Sequence, residues 1–438
     1  MELLLPLKKR AAAGNPIRIG LVGCGQMGSG LAHTINNITG MSIQAIADIH
    51  PQRAIDTLIE MNVNPDDIII TENRGEAEDA LFIGKRVVTA DALMLPQLDR
   101  LEANVEVTGV TDVGARVAWT SINAGKPIIM LNVETDVTIG VYLDRLARKN
   151  DAIYTVASGD EPGVLKMLYE QAVLMGFEVI CLGKGKNNPI DTTMTPERCR
   201  EEAISKDMNP KILASFIDGT KTMVEIAAVS NATGLIPDVP GMHGPRVELN
   251  DLLTAFRLKK DGGIFSQRGT VDYTTGSIAP GVFAIVYSED ARIQKDMYFI
   301  TKARGPYYLH FRPYHLCDIE TPQSIAEAVL LRERTVTAEN MHSEVVCVAK
   351  RNLKAGEQVG DIGSADIYGK IYTYHEARTQ KAIPLGIAAR GKVIIDICAG
   401  EMMSENNFLP DSSTFIYELR KKQDVMLEAE LSGVSGRS

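Results

Sequence analysis

Short apolar runs recur through the first third of the chain, and each is followed by a stretch whose apolar residues return every three or four positions. The run 17–23 (Ile-Arg-Ile-Gly-Leu-Val-Gly) is followed by Leu31, Ile35 and Ile38 at helical spacing. Runs at 43–47, 85–89, 105–109, 127–132 and 152–156 repeat the pattern. Near-continuous apolar strands alternating with helical spacing predict a parallel sheet covered on both faces, with ligands at the carboxyl ends of its strands. The acid-rich stretch 62–79 breaks the rhythm and reads as an insertion with its own helix. Further on, a loop at 158–163 precedes a helix over 164–175, and a strand at 177–182 runs into a loop at 183–189. Another helix begins at Ala214, and beyond Glu344 the texture changes to short β-rich runs at 345–349 and 391–395. There Leu353-Lys354-Ala355-Gly356-Glu357 is echoed by Ile397-Cys398-Ala399-Gly400-Glu401, as two half-motifs packed around each other require. Residues 1–10 read as a short docking helix or a loose arm, and 432–438 as a frayed end.

The first run leads directly into Gly23-Cys24-Gly25-Gln26-Met27-Gly28, a G-x-G-x-x-G placed between strand and helix. Its glycines serve a tight turn, close approach to a pyrophosphate, and close helix–strand packing. The second strand ends at Asp48, suitably placed for a ribose 2′-hydroxyl. Gly23, Gly25, Gln26, Met27, Gly28 and Asp48 therefore form the candidate cofactor site. Asp48 favours NADH over NADPH, whereas Arg53 offers a grip on a 2′-phosphate. Asn132 and Glu134 finish a later strand and are candidates at the nicotinamide end.

The chain has 438 residues, and about 150 per domain suggests three domains. With 45% hydrophobic and 23% charged residues it is ordinarily globular, and a net charge of −10 argues against nucleic-acid binding. The six cysteines are scattered, with no C-x-x-C pair, so neither a disulfide framework nor a zinc site is expected and a reducing cytoplasm fits. Positive charges follow rather than precede the N-terminal apolar run, unlike a signal peptide. No window approaches the roughly 20 apolar residues of a membrane span.

Within the middle of the chain, Asp160 and Glu161 stand before a helix and suit either a macrodipole cap or a hard divalent cation such as Mg²⁺ or Mn²⁺. Gly183-Lys184-Gly185-Lys186-Asn187-Asn188-Pro189 offers two cations and two amides to a phosphate, a carboxylate or a developing oxyanion; a solvated basic turn is the competing reading. Asp218, Lys221 and Glu225 fall on one helical face, where a surface ion-pair ladder competes with chemistry. Turns around His243 and Arg246, and around Arg312 and His315, complete the polar inventory.

The C-terminal echo resembles the SAF module, a small β-clip fold found at the end of sialic acid synthases and in sugar-acid dehydratases. The expected architecture is α/β: a Rossmann dinucleotide-binding domain at 1–157, an α+β substrate domain at 158–342 from whose end the chain can return to the first, and an SAF-like β-clip module at 343–438. Taken together, the motifs at 23–28, 132–140, 159–162, 183–189, 217–225, 241–246 and 312–316 resemble the homoserine dehydrogenase-like oxidoreductases, and within them the second type of 1-deoxy-D-xylulose 5-phosphate reductoisomerase. Two features depart from those relatives. Val133 follows Asn132 where homoserine dehydrogenases look to carry a lysine, and Asp48 stands where NADPH users favour basic residues.

The resemblance implies an enzyme that rearranges a phosphorylated ketose and reduces the product with NADPH or NADH. It implies Lys184 and Lys186 in proton transfer and oxyanion stabilisation, with Asp218 and Lys221 as an alternative shuttle. Asn187 and Asn188 would orient the substrate, Arg246, Arg312 and His315 would meet its phosphate, and Asn132 and Glu134 its hydroxyls. An NAD-dependent dehydrogenase or oxidoisomerase of a sugar acid or polyol is the second reading, and a non-catalytic nucleotide sensor or carbohydrate binder the third. A small anionic substrate and a homo-oligomer, without nucleic acid or membrane, complete the expectation.

Overall fold

In a computed structural model, residues 2–432 are described, so the part of the tail at 433–438 that was read as frayed lies outside them. They form two compact units that the chain visits in turn. The first holds 2–160, 316–337 and 413–432, and the second 161–315 and 338–412.

Unit one is the parallel sheet that the apolar runs require. Strands β1 (Ile17–Val22), β2 (Met41–Ala47), β3 (Ile68–Ile70), β4 (Arg86–Thr89), β5 (Ala103–Glu106), β6 (Ile128–Met130) and β7 (Tyr154–Val156) lie in the order β3-β4-β2-β1-β5-β6-β7. Every neighbouring pair is parallel. The direction of winding reverses between β1 and β5, which makes their carboxyl ends the topological switch point. Helix Gln26–Asn36 buries Gly28, Leu31, Ala32 and Ile35 against the sheet. The acid-rich stretch differs from its reading as an insertion, because Ile68–Ile70 joins the sheet as its edge strand. Two later segments complete this unit. Helix Cys317–Ala326 adds Ile325 and Ala326 to the core, and helix Phe415–Leu431 fixes buried Gln423 to Tyr142 N and Thr138 O.

Unit two is built on strands β8 (Glu178–Gly185), β9 (Ile236–Pro237), β10 (Thr270–Thr274), β11 (Val282–Tyr287) and β12 (Tyr307–Arg312), ordered β12-β11-β8-β10-β9. The trio β8, β10 and β9 is parallel, and β11 and β12 are antiparallel additions. Strand β8 extends past the expected 182 to Gly185, so Lys184 sits in a paired strand and not in a flexible loop. The adjoining glycines serve packing. A Cβ on Gly183 would stand 2.3 Å from the Phe283 ring, and one on Gly185 would stand 2.2 Å from Ala279 N.

The helix expected from 214 to 225 is two helices, Pro210–Ile217 and Thr220–Thr233, because Gly219 takes φ +89° between them. Helix Glu161–Leu174 likewise begins three residues before the expected Val164.

The C-terminal part of unit two contains the antiparallel pair β13 (Ser343–Ala349) and β14 (Ile367–Thr373) and the two echoed turns. Leu353 and Ile397 exchange both backbone hydrogen bonds, at 2.8 and 2.9 Å. Gly356 N donates to Val393 O as Gly400 N donates to Ala349 O, each at 2.8 Å. Both glycines have positive φ, 95° and 83°. The echo is thus a pair of half-motifs related by an approximate twofold axis.

Candidate functional site

The carboxyl end of β1 is shaped for a dinucleotide. Gly23 turns with φ +98°, and a Cβ on Gly28 would meet Gly23 O at 2.1 Å, so helix and strand close only with glycine there. A Cβ on Gly25 would meet nothing within 4 Å, which leaves the loop open to an approaching group. Gly25 is the N-cap of helix Gln26–Asn36 and provides no capping side chain, and the first turn carries no acid. Its amides suit an anion.

Asp48 is held beside this loop, with Oδ2 accepting from Cys24 N at 2.7 Å and Oδ1 from His50 N at 2.8 Å. A carboxylate keeps further lone pairs for a hydroxyl. Gln26, Met27 and Arg53 are exposed.

At the neighbouring strand ends, Asn132 is an N-cap. Its Oδ1 accepts from Thr135 N at 3.1 Å and its Nδ2 donates to Val110 O at 3.2 Å. Glu134 is buried in the first turn of the helix that Asn132 caps. Sequence reasoning missed Glu106, which ends β5 fully buried with Oε1 accepting from Thr108 N at 2.9 Å. Burial pushes its carboxyl up to about 7 against the hydrogen bonds from Thr108, and Glu134 adds to the rise. An acid closing an apolar strand at the switch point was the signal available. In the same unit Asp160 accepts from Cys317 Sγ at 3.2 Å.

Unit two brings together Glu161, Lys184, Glu225 and His315. Lys184 Nζ makes hydrogen-bonded ion pairs with Glu161 Oε1 and Glu225 Oε2. All three side chains are at most 7% exposed. Burial alone would lower the lysine's pKa, but the two carboxylates outweigh it and push the group above its ordinary range. Burial and the facing Glu161 raise Glu225, against the pull of Lys184 and Lys221. His315 Nε2 lies 3.3 Å from Glu161 Oε1, and its Nδ1 lies 2.8 Å from Pro280 O.

Lys186 differs from Lys184. Burial first, and the nearby Lys184 charge second, lower it to about 8. Its Nζ donates to Asn188 O at 2.9 Å and Asn188 Oδ1 at 2.6 Å, while Asn187 is exposed.

Other sequence candidates fall elsewhere. Asp218 is paired with Lys350 at 2.7 Å, both fully buried, because the break at Gly219 turns it away from the expected helical ladder with Lys221. Lys350 also donates to Met194 O and Ser364 O. Arg246 is exposed, and the Arg312 guanidinium lies 4.6 Å over the Tyr314 ring. Glu225 was visible only as part of the supposed surface ladder; its true partner comes from β8.

The parallel sheet with its glycine loop at the switch point is a doubly wound, dinucleotide-binding fold. Residues 159–321 match the family model described as Oxidoreductase DRL, catalytic domain, a span that contains Glu161, Lys184, Lys186, Glu225 and His315. No curated protein matches the sequence. Among solved structures the chain is similar to scyllo-inositol dehydrogenase from Lactobacillus casei with bound NAD(H) and scyllo-inositol. Identity there is 13%, covering 74% of this chain and 92% of that one at a TM-score of 0.43. It is also similar to 1-deoxy-D-xylulose 5-phosphate reductoisomerase from Zymomonas mobilis in complex with NADPH, at 13% identity, 72% and 81% coverage and a TM-score of 0.36. Among the described residues no helix is long and apolar enough to cross a membrane.

Proposed function

We propose that the protein is an NAD(P)-dependent reductoisomerase acting on a phosphorylated ketose, converting 1-deoxy-D-xylulose 5-phosphate to 2-C-methyl-D-erythritol 4-phosphate. The observation that carries this reading is the contrast at the end of β8. Lys184 is held cationic between two carboxylates, and two residues on Lys186 is lowered to about 8. Rearrangement of a hydroxy-ketone needs one group to stabilise negative charge on the carbonyl oxygen and another to take and return the hydroxyl proton. Lys184 supplies the fixed charge. Lys186, about a tenth neutral at pH 7, moves the proton.

Asn187 and Asn188 orient the substrate, Arg246, Arg312 and His315 attract its phosphate, and Asn132 and Glu134 meet its hydroxyls. Asp218 and Lys221 stand as the weaker shuttle, since Lys350 already neutralises Asp218. The loop amides of Gly23, Gly25 and Gly28 and the adjacent helix start would hold the dinucleotide pyrophosphate, with Gln26 and Met27 beside it and Asp48 or Arg53 reading the ribose. When bound, that cofactor supplies the hydride for the reduction. The SAF-like module is part of the same proposal, supported by the twofold echo, as are a homo-oligomer in the cytoplasm and a small anionic substrate.

A divalent ion at Asp160 and Glu161 fits less well. The carboxylates of Glu161 and Glu225 are close enough to share a cation, but the Lys184 ammonium is already between them. No step here runs through a metal.

A second reading, an NAD-dependent dehydrogenase of a sugar acid or polyol, is favoured by the fixed Asp48 carboxylate. Initial rates with NADH and NADPH against 1-deoxy-D-xylulose 5-phosphate and a polyol and sugar-acid panel separate the two. Turnover of the ketose phosphate supports the first. Its absence with both cofactors overturns it, and turnover confined to the panel establishes the second.

A further inference from the structure

We propose that Lys184 is the site's resident cation: its ammonium takes the place of a divalent metal between Glu161 and Glu225, and the site binds no divalent ion there while Lys184 is present. The proposal rests on the reading of this cluster as the reacting site only for what the cation does, since its occupancy is decided by geometry.

That geometry is restrictive. Lys184 Nζ is in hydrogen-bonding contact with one oxygen of each carboxylate, Glu161 Oε1 and Glu225 Oε2. A Mg²⁺ or Mn²⁺ bridging the same two oxygens needs them at about 2.0–2.2 Å, and would fall on the position of the nitrogen. Two cations cannot share it, because their repulsion is only weakly screened in a buried site.

Lys184 pairs through its backbone with Tyr273 on one side and Val282 on the other, so the root of the side chain is fixed in the sheet. The side chain is 7% exposed, and no water-filled route is needed to satisfy it when two carboxylates already do. His315 faces Glu161 Oε1 from a third direction and is the most exposed of the four side chains, at 18%. A cation built into a strand is permanently positioned, and it differs chemically from a metal ion because it offers hydrogen bonds as well as charge to a developing oxyanion.

The experiment is a Mn²⁺ titration of the full chain, followed by electron paramagnetic resonance of free Mn²⁺ and by thermal unfolding. It uses the wild type, Lys184→Met, Glu225→Gln and the double variant. The wild type should bind less than about 0.1 Mn²⁺ per chain at 1 mM in a manner sensitive to Glu225, and its melting temperature should be the same with Mn²⁺ or with chelator. Lys184→Met should gain about one Mn²⁺ per chain and a Mn²⁺-dependent rise in melting temperature, both lost when Glu225→Gln is added. Wild-type Mn²⁺ binding that disappears in Glu225→Gln overturns the proposal, as does a folded Lys184→Met that gains none. If Lys184→Met does not fold, the comparison of wild type with Glu225→Gln still decides. None of these readouts uses turnover, so failure of the reductoisomerase assay would leave them standing, and their failure would leave that assay's result intact.

Discussion

Lys184 and Lys186 stand two residues apart, and burial by itself lowers the pKa of both. Glu161 and Glu225 reverse the effect at Lys184, whereas at Lys186 the opposing pull of Asp218 and Glu225 does not. The consequence for Lys186 is measurable: as a base lowered to about 8, it should give a kcat/KM that climbs with pH toward 8 and levels above it. Lys186→Ala should remove that limb and cut kcat/KM by ~10²-fold or more, and a loss under about threefold would reduce the lysine to a structural donor to Asn188.

A second buried group acts on stability. Burial pushes Asp136, which accepts from Tyr154 Oη at 2.8 Å, from 3.8 up to about 7, with Asp144 adding to the rise. The folded state therefore binds the proton more tightly than the unfolded chain. Stability is greatest at low pH with respect to this group and falls as pH rises from about 4 to about 7. Asp136→Asn should flatten that slope and raise the melting temperature at pH 8, a gain of roughly 2–4 kcal/mol at most. Thermal unfolding across the range checks it.

The limits of the sequence are plain at this scale. Lys184, Lys186 and Glu161 could be chosen from their motifs, but the partner of Asp218 could not, since Lys350 comes from a distant strand end. Asn132, chosen as a ligand residue, also caps the helix that follows it, a role its place at a strand end did not announce.

At the scale of the element, the glycine loop and its helix were legible because strand, spacing and helix pattern agree locally. The three glycines do different work, and single substitutions separate it. Gly25→Ala adds a methyl into open space, so the melting temperature should hold while NADH or NADPH affinity falls. Gly28→Ala drives a carbon onto Gly23 O, so stability should drop by ~1–3 kcal/mol and binding with it. Fluorescence titration beside thermal unfolding distinguishes these outcomes, and equal losses in the two variants would contradict the assignment.

Strand β8 was the harder element. Two glycines around Lys184 read as flexibility, whereas each is there because a neighbouring ring or backbone leaves no room for a side chain. Sequence spacing does not distinguish a glycine that frees the chain from one that lets something close in.

For the whole molecule, the alternation of strands and helices announced the parallel sheet and left room for a return of the chain to the first unit near the end of the second, but not for the further return at 413–432. Helices Cys317–Ala326 and Phe415–Leu431 complete the first unit after the chain has built most of the second. Apolar periodicity marks a helix as amphipathic without saying which core it serves. A chain ending at Ser412 would lose buried Gln423 and its bonds to Tyr142 and Thr138. It should unfold the nucleotide unit at lower temperature and weaken cofactor binding, with the change read by calorimetry; an unchanged transition would show that the last helix is dispensable.

The echoed turns carry a consequence of a different kind. Each half-motif closes on a residue of the other, Gly356 on Val393 and Gly400 on Ala349, and Leu353 and Ile397 close on one another. Within each half only the turn itself is closed, Glu357 N on Lys354 O and Glu401 N on Cys398 O, whereas the bonds that anchor the turn go to the other half. The arrangement is that of a symmetric pair joined into one polypeptide, so a substitution that loosens one turn removes anchoring bonds from both halves at once.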